Sequence, residues 1–459
     1  METIFQQIHD AVIAYANWIW GTPLLLLLIG GGLFFVFYSR FIPYRYFFHA
    51  INILRGKYDN PDEEGEISHY EALSTALAAT VGMGNVSGVA VAITMGGPGA
   101  IFWMWMSAII GMVTKYFTIT LAVMFRGRDD AGVAQGGPMY VIQEGMGKKW
   151  RPLGVFFSLT AMVGVLPIFQ ANQLTKVIRD VILMPNGLDQ GATSQWIIGI
   201  TLMVIVSFVI FGGIKRIAKI AGKLVPLMVV VYFFSVLYII LVNLSVVPAS
   251  LALIFTDAFT AESVLGGAVG SIIIIGAKRA AFSNEAGIGT APMVQAQAKT
   301  DEPVREGLVG MLGPAIDTLL VCTLTALAIL VTGTWQESGI DGITVTVHAF
   351  DKAIPYVGSY LLFLAVLIFA ITSLFSLSYY GEKSLAFLIG TKKAHFYKVI
   401  YVLSIVLGAV ASLNFIINVI DSFYAMMAIP TMISALWLAP KVMEETKKYF
   451  AKMKDKGIL

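Results

Sequence analysis

The chain has 459 residues, of which 57% are hydrophobic and 13% are charged, whereas soluble domains carry about 25% charged residues. Together with a mean hydropathy of +0.79, this composition predicts an all-α polytopic membrane protein, and the small net charge of +3 excludes a nucleic-acid partner. Cys322 is the only cysteine, which excludes an intrachain disulfide and a cysteine metal cluster and leaves a packing role.

Eleven apolar segments approach or exceed the roughly 20 residues that are needed to span a bilayer. A further segment, 343–354, is expected to form a short helix outside the membrane, either as a lid over an entrance or as a plain surface helix. In chain order the eleven segments are 15–39, 68–95, 99–125, 154–180, 195–213, 224–247, 263–298, 307–332, 358–388, 395–413 and 414–438.

Basic residues alternate between the two sides of the predicted membrane. Most of them follow the odd-numbered segments, as at 40–57, 126–128 and 215–223, or lie in the tail 441–459. The loops on the other side are neutral or acidic apart from a few residues. Because cytoplasmic loops carry the excess of lysine and arginine, we expect the N-terminus outside and the C-terminus in the cytoplasm.

The second segment is interrupted at its centre by the sequence AATVGMGNVSG, residues 78–88. A helix that faces lipid has no reason to break there, because freed backbone groups find no water in hydrocarbon. Such a break is tolerated where the bare amide and carbonyl groups bind something. The interruption therefore predicts a binding site at mid-membrane.

The seventh segment is interrupted in the same way, at residues 276–289. The two broken segments lie five spans apart and so cross the membrane in opposite directions, which is the pattern of an inverted repeat with a binding site between its halves. We predict four regions: a peripheral helix and cytoplasmic loop (1–66), two five-helix repeats (67–247 and 248–440), and a cytoplasmic basic tail (441–459).

Four stretches carry a resemblance to a known family. They are GGPGAIFWMWMSAIIG (96–111), AQGGP (134–138), FSNEAGIGTAP (282–292) and SYYGEK (378–383). These stretches resemble the sodium:alanine symporter family. The resemblance implies a leucine-transporter-like fold with eleven spans, no enzymatic activity, no cofactor, and sodium as the coupling ion. It further implies import of a small neutral amino acid across a prokaryotic plasma (inner) membrane.

The resemblance also assigns roles at the first break. In leucine-transporter-like folds, this break binds the carboxylate of the amino acid, and exposed amides at a half-helix N-terminus suit an anion. Here Gly82, Met83 and Gly84 would supply those amides. Thr80 and Asn85 would be oxygen ligands or polar anchors beside them.

Sodium requires hard oxygen ligands, and the resemblance implies two walls for its site. The carbonyl groups of Ala78 and Val81 would form one wall. The carbonyl of Phe369 and the hydroxyls of Thr372 and Ser373 would form the other, with Ser373 also reaching the substrate. The alternative for the hydroxyls is the usual bond back to a carbonyl of their own helix.

The fourth segment has a proline, Pro167, beside several amide side chains. A kink of this kind is costly in lipid unless it faces a polar cavity. Phe169 and Gln170 are therefore our candidates for the wall of the substrate pocket. Asn172 and Gln173 could line the same pocket or form hydrogen bonds between helices.

Leu377 is a departure from the family pattern. Members that take alanine or glycine often carry tryptophan here, one helical turn from Ser373 on the same face. Because leucine is smaller than tryptophan, we expect a larger pocket that accepts a bulkier neutral amino acid, such as glutamine, as well as or instead of alanine.

Several ionisable residues lie within the apolar segments. Asp317 stands alone in the eighth segment, and such residues are functional by default. For Glu285 we favour a structural ion pair with Arg279, with an inner gate that also includes Lys278 as the alternative. Lys115 in the third segment could pair or extend towards the membrane surface.

Three other functions compete with sodium symport. Proton coupling through Asp317 or Glu285 is the closest rival. A channel would need a filter or ring, which no segment resembles. An enzyme is disfavoured because the five histidines have no HExxH spacing and the sequence has no nucleotide-binding loop.

Overall fold

The structure is a computed structural model that describes residues 14–457 except 16–17, 61, 131 and 260–267. Within these residues, eight helices are long and apolar enough to cross a membrane, or nine if one bent pair counts as a single span. The first and seventh predicted spans correspond to shorter helices, each next to residues outside the described ranges. The number eleven therefore stays a prediction.

We number eight helices among the described residues of the first half, leaving the short segments Ile42–Arg45, Pro138–Tyr140 and Val141–Met146 unnumbered. A two-residue antiparallel ladder of β1 (Gly127–Arg128) and β2 (Ala134–Gln135) follows α5, and α6 is interrupted at Pro167. The helices are α1 (Pro23–Tyr38), α2 (Phe47–Leu54), α3 (His69–Thr80), α4 (Gly84–Gly96), α5 (Gly99–Met124), α6 (Lys148–Leu183), α7 (Ala192–Ile210) and α8 (Gly213–Val242).

The second half forms eight more helices. Its last helix is 43 residues long, so the predicted boundary between the second repeat and the basic tail, at 440–441, lies inside one continuous helix. The helices are α9 (Val247–Asp257), α10 (Ala268–Asn284), α11 (Ala291–Gln295), α12 (Pro303–Thr332), α13 (Ile343–Ala353), α14 (Gly358–Ile389), α15 (Thr391–Val410) and α16 (Leu413–Asp455).

Helices α3 and α4 together form the interrupted second span. Helix α3 starts at a capping box, in which Ser68 and Glu71 satisfy each other's backbone amides. The axis then bends by 53° between α3 and α4. Helix α3 packs against α8 and α14, whereas α4 packs against α10, so the break lies at the centre of the bundle.

The end of the bundle that the sequence predicts to be cytoplasmic is closed by Arg126. Its guanidinium donates hydrogen bonds to the carbonyls of Ala296, Ala298 and Thr300 at 2.6–2.9 Å, and to that of Glu64 at 3.2 Å. Residues 64–67 also exchange backbone hydrogen bonds with residues 297–300. These bonds hold the chain before α3 against the chain after α11.

Helix α13 confirms the expected short helix at 343–354. It packs against α14 and the start of α4, where the Thr346 hydroxyl donates to the Val86 carbonyl at 3.4 Å. Its role as a lid stays a prediction.

Candidate functional site

The break between α3 and α4 is buried at the centre of the bundle. Val81 leaves the helical conformation, with ψ at 93°, and the amide of Gly82 donates to Asn85 Oδ1 at 2.8 Å. Val81, Met83 and Asn85 have no solvent-exposed surface. Met83 and Gly84 lie at the start of α4, where the first amides of a helix have no partner within it.

One turn of α14 lies directly against this break. A Cβ atom on Gly82 would be 2.4 Å from Ser373 Oγ and 3.8 Å from the Phe369 carbonyl oxygen. The hydroxyls of Thr372 and Ser373 each donate to that same carbonyl at 3.0 Å. The structure thus brings the break and this turn into contact, with both hydroxyls bonded back to their own helix.

The remaining predicted residues of α3 are also buried. Ala78 has no exposed surface, and the Thr80 hydroxyl donates to the Ala76 carbonyl at 3.2 Å. The Thr80 hydroxyl is therefore engaged within its own helix.

An aromatic wall lies on the other side of the break. The Phe169 ring meets the Phe282 ring edge-on, with centroids 4.9 Å apart, and a Cβ on Gly84 would be 3.4 Å from Phe282. Gln170 is buried, and its Oε1 has no hydrogen-bond partner among the described residues. Leu377 is also buried, one helical turn from Ser373. Phe169 and Phe282 thus border the break, whereas the roles of Gln170 and Leu377 stay predictions.

Asn172 and Gln173 connect helices. Gln173 accepts from the Ser87 hydroxyl at 2.7 Å and donates to Asn172, whose amide donates to the carbonyls of Gly408 and Ala411. Of the two alternatives for this pair, the structure shows the interhelical one.

Asp317 links the two interrupted helices to each other. Its Oδ1 accepts from Asn85 Nδ2 at 2.7 Å, and its Oδ2 accepts from the hydroxyls of Ser283 at 2.7 Å and Thr318 at 2.8 Å. The Cys322 sulfur lies 3.4 Å from Asn85 Nδ2 and 3.3 Å from Ser283 Oγ. All five side chains are buried, so this is a polar network at the centre of the bundle.

Lys115 is buried in α5, beside the helix that carries Asp317. Its Nζ would be 3.2 Å from a Cβ on Gly313, four residues before Asp317. The side chain therefore points into the bundle and does not extend to the membrane surface.

The expected ion pair between Glu285 and Arg279 does not form. Arg279 Nη2 instead contacts Asp421 Oδ2 at 2.7 Å, and Lys278 Nζ contacts the same oxygen at 2.7 Å. Glu285 accepts hydrogen bonds from Thr290 and Tyr424. Helix α10 ends at Asn284, and Glu285 has a positive φ of 54°, so Glu285 does not continue the helix that carries Arg279.

Asp421 is a residue that the sequence reasoning missed. It is a single carboxylate inside the apolar segment 414–438, and the same rule that identified Asp317 applies to it.

The chain is similar to proteins of one known family. The family model described as the sodium:alanine symporter family matches residues 5–458. The chain belongs to the sodium:alanine symporter family. It is therefore a multi-pass transporter of a symporter family and not an enzyme.

The relatives of this chain include two that are named as symporters. The sodium/alanine symporter AgcS of Methanococcus maripaludis is 38% identical over 441 residues, covering 94% of this chain and 95% of that protein. The probable sodium/glutamine symporter GlnT of Bacillus subtilis is 34% identical over 454 residues, covering 98% and 93% respectively.

The fold of the symporter resembles that of MhsT, solved in complex with L-phenylalanine. The TM-score is 0.60 over 83% of this chain and 98% of that one, at 13% sequence identity. This likeness concerns the fold alone and confirms the leucine-transporter-like class.

Proposed function

We propose that this protein is a sodium-coupled symporter that imports a small neutral amino acid by alternating access. The observation that carries the proposal is the contact between the buried break at Gly82 and the hydroxyl-bearing turn of α14 at Ser373. The substrates in the names of the relatives, alanine and glutamine, support a neutral amino acid as the substrate. The larger of the two agrees with a pocket that has leucine at position 377.

Sodium would bind between α3 and α14. The carbonyls of Ala78 and Val81 would form one side, and Phe369, Thr372 and Ser373 the other. The shared acceptor of both hydroxyls, the Phe369 carbonyl, keeps their oxygens on one face, so a cation can take the lone pairs that the hydrogen bonds leave unused.

The substrate carboxylate would bind at the start of α4. Because the Gly82 amide already donates to Asn85, the amides of Met83 and Gly84 are the better anion donors, aided by the positive end of the helix dipole. The substrate side chain would lie towards Phe169, Gln170 and Leu377, and the unpartnered Gln170 oxygen would accept from the substrate ammonium group.

Coupling follows because ion and substrate bind opposite sides of one break. Each orders the segment that the other needs, so the state with both bound is favoured over either alone. A helical bundle would rock around this fixed site, which lies between the two repeats, 67–247 and 248–440, in a prokaryotic plasma membrane with the N-terminus outside. With one net positive charge entering per cycle, the membrane potential contributes about 2.3 kcal/mol per 100 mV.

The test is uptake of labelled alanine and glutamine into proteoliposomes, with sodium and proton gradients imposed separately. We expect concentrative uptake with an inward sodium gradient at equal pH on both sides. Uptake that follows a proton gradient in the absence of sodium would overturn the sodium assignment.

Proton coupling is the second candidate, and Asp317 is the observation that favours it. This buried carboxylate receives hydrogen bonds from neutral donors on both interrupted helices, so a change in its protonation would alter both. If Asp317 carries a proton, Asp317→Asn should still exchange internal for external substrate but should not concentrate it in response to a pH gradient.

A further inference from the structure

A cavity lies at the end of the bundle opposite Arg126. Its volume is about 410 Å³, which is large enough for an amino acid. Its mouth is formed by exposed residues, among them Met95, Asp341 and Asn414, and its floor by Lys278 and the buried Arg279. We call this cavity the vestibule.

The floor of the vestibule has more positive than negative charge. Lys278 and Arg279 both contact a single carboxylate oxygen, Asp421 Oδ2, so two cations share one anion. Asp421 lies behind these two cations, and the acidic residue that lines the vestibule in the described part of the chain is Asp341, which is already paired with Lys176 at 2.6 Å. One positive charge is left at the floor.

Of the two cations, Lys278 is the accessible one. Its side chain is 15% exposed, against 5% for Arg279 and 1% for Asp421. Its ammonium lies 5.8 Å from the centroid of the Trp20 ring, which also lines the vestibule. An anion in the vestibule would therefore meet Lys278 first.

The walls suit an amphipathic ligand. Asn418 and Thr94 are polar and neutral, whereas the remaining wall is apolar. Below the floor, the Arg279 guanidinium lies 5.5 Å from the Phe282 ring, which in turn contacts Phe169 beside the break. The vestibule is thus separated from the proposed central pocket by Arg279 and an aromatic layer.

We propose that the vestibule binds the carboxylate of an incoming amino acid on Lys278 before the molecule reaches the break. This inference rests on the proposed function, because it treats the vestibule as the entrance to the central pocket. The site at Lys278 suits a small monovalent anion. The carboxylate of the substrate and chloride from solution therefore compete for it.

Trp20 provides the measurement, because an anion that binds Lys278 alters the cation beside its ring. Tryptophan fluorescence of the purified protein is titrated with alanine, acetate, alaninamide and chloride, at constant sodium with isethionate as the balancing anion. We expect saturable changes in fluorescence with alanine and acetate, and no change with alaninamide. In the Trp20→Phe variant, none of these ligands should change the fluorescence.

Lys278→Gln should weaken acetate binding by about tenfold or more, since a charged hydrogen bond is lost, while Lys278→Arg should retain it. Equal binding of alaninamide, or unchanged acetate affinity in Lys278→Gln, would overturn the proposal. Chloride that binds as tightly as acetate would assign the site to chloride and equally overturn it.

A variant with a blocked central pocket tests the vestibule site independently of the proposed function. In Gly82→Ala the added methyl group collides with Ser373, which disables the central pocket and leaves the vestibule intact. Acetate and alanine should still change Trp20 fluorescence in this variant. Loss of the signal there would mean that it came from the central pocket, against the vestibule site.

Discussion

At the scale of single residues, Gly82 is where the main chain approaches a neighbouring helix most closely at the site. Its lack of a side chain lets the break lie against Ser373. The φ of Gly82 is not positive, so glycine is needed here for its small volume and not for an unusual backbone conformation. The nearby Asn85 side chain completes the turn: its Oδ1 accepts a hydrogen bond from the Gly82 amide, and its Nδ2 donates one to Asp317.

Gly82→Ala should abolish transport while the protein still folds. The new Cβ would be 2.4 Å from Ser373 Oγ, so this hydroxyl must turn away from the position in which it would bind sodium, and a displacement of about 1 Å at a site of this kind costs about 100-fold in rate. Sodium-driven uptake in proteoliposomes measures the effect. Gly30→Ala is the control, since a Cβ there meets nothing within 4 Å. Normal uptake by Gly82→Ala would contradict the proposed site.

Leu377→Trp should narrow the substrate range. Leu377 is fully buried one turn from Ser373, so a larger side chain has to take its space from the pocket. We expect glutamine uptake to be lost and alanine or glycine uptake to be kept, measured in competition with labelled alanine. Leu377→Met, which conserves volume, should keep the native range. Unchanged selectivity in the tryptophan variant would remove Leu377 from the pocket.

At the scale of helices, one carboxylate holds α10 against α16. Asp421 accepts from Lys278 and Arg279, and its own carbonyl accepts from the Trp20 indole at 2.8 Å. The first residues described in the chain are thereby tied to two core helices. Glu285, one residue beyond the end of α10, is bound to Tyr424 of the same α16 at 2.9 Å.

Asp421→Asn should destabilise the protein strongly. Removing one partner of a buried ion pair leaves uncompensated charge and costs about 3–5 kcal/mol. The melting temperature in detergent should fall, and it should recover in part when Arg279→Gln is added, because the surplus charge is then removed. If the double variant is less stable than the single one by the full cost of Arg279→Gln alone, the two residues are not coupled.

Much of this arrangement follows from the sequence, and the exceptions have a common cause. Apolar length located the helices, and glycine in an apolar segment located the break, because both depend on residues close together in the chain. The prediction that Arg279 pairs with Glu285 was wrong, because ion pairing depends on how α10 is rotated and where it ends. Helix rotation and the positive φ of Glu285 arise from tertiary packing, which no local pattern encodes.

At the scale of the whole molecule, the two ends of the bundle differ. The vestibule is open at one end, while the other is closed by Arg126 and the backbone bonds between residues 64–67 and 297–300. Several buried polar atoms on the closed side have no hydrogen-bond partner among the described residues, and each costs about 1–3 kcal/mol. They belong to Ser158, Gln295, Gln297, Ser376, Tyr379 and Tyr380. Water that enters on opening would satisfy them, which offsets the bonds broken.

Arg126→Gln should shift the molecule towards opening at the closed end. Losing hydrogen bonds from a charged donor to four carbonyls should raise the open population by at least about tenfold. A cysteine introduced at Ser376, which is buried, reports this as faster reaction with a water-soluble thiol reagent. The same cysteine with Arg126 intact is the control. Equal labelling rates in the two proteins would show that Arg126 does not hold this end closed.

The position of Cys322 makes the unmodified protein its own sensor. The chain contains no other thiol, and this one touches both Asn85 and Ser283, which lie on the two interrupted helices. Its rate of alkylation therefore depends on how often the centre of the bundle opens enough for a reagent to reach the thiol. A bound ion or amino acid that tightens the centre would lengthen the lifetime of the thiol, so the alkylation rate would report occupancy without any substitution in the chain.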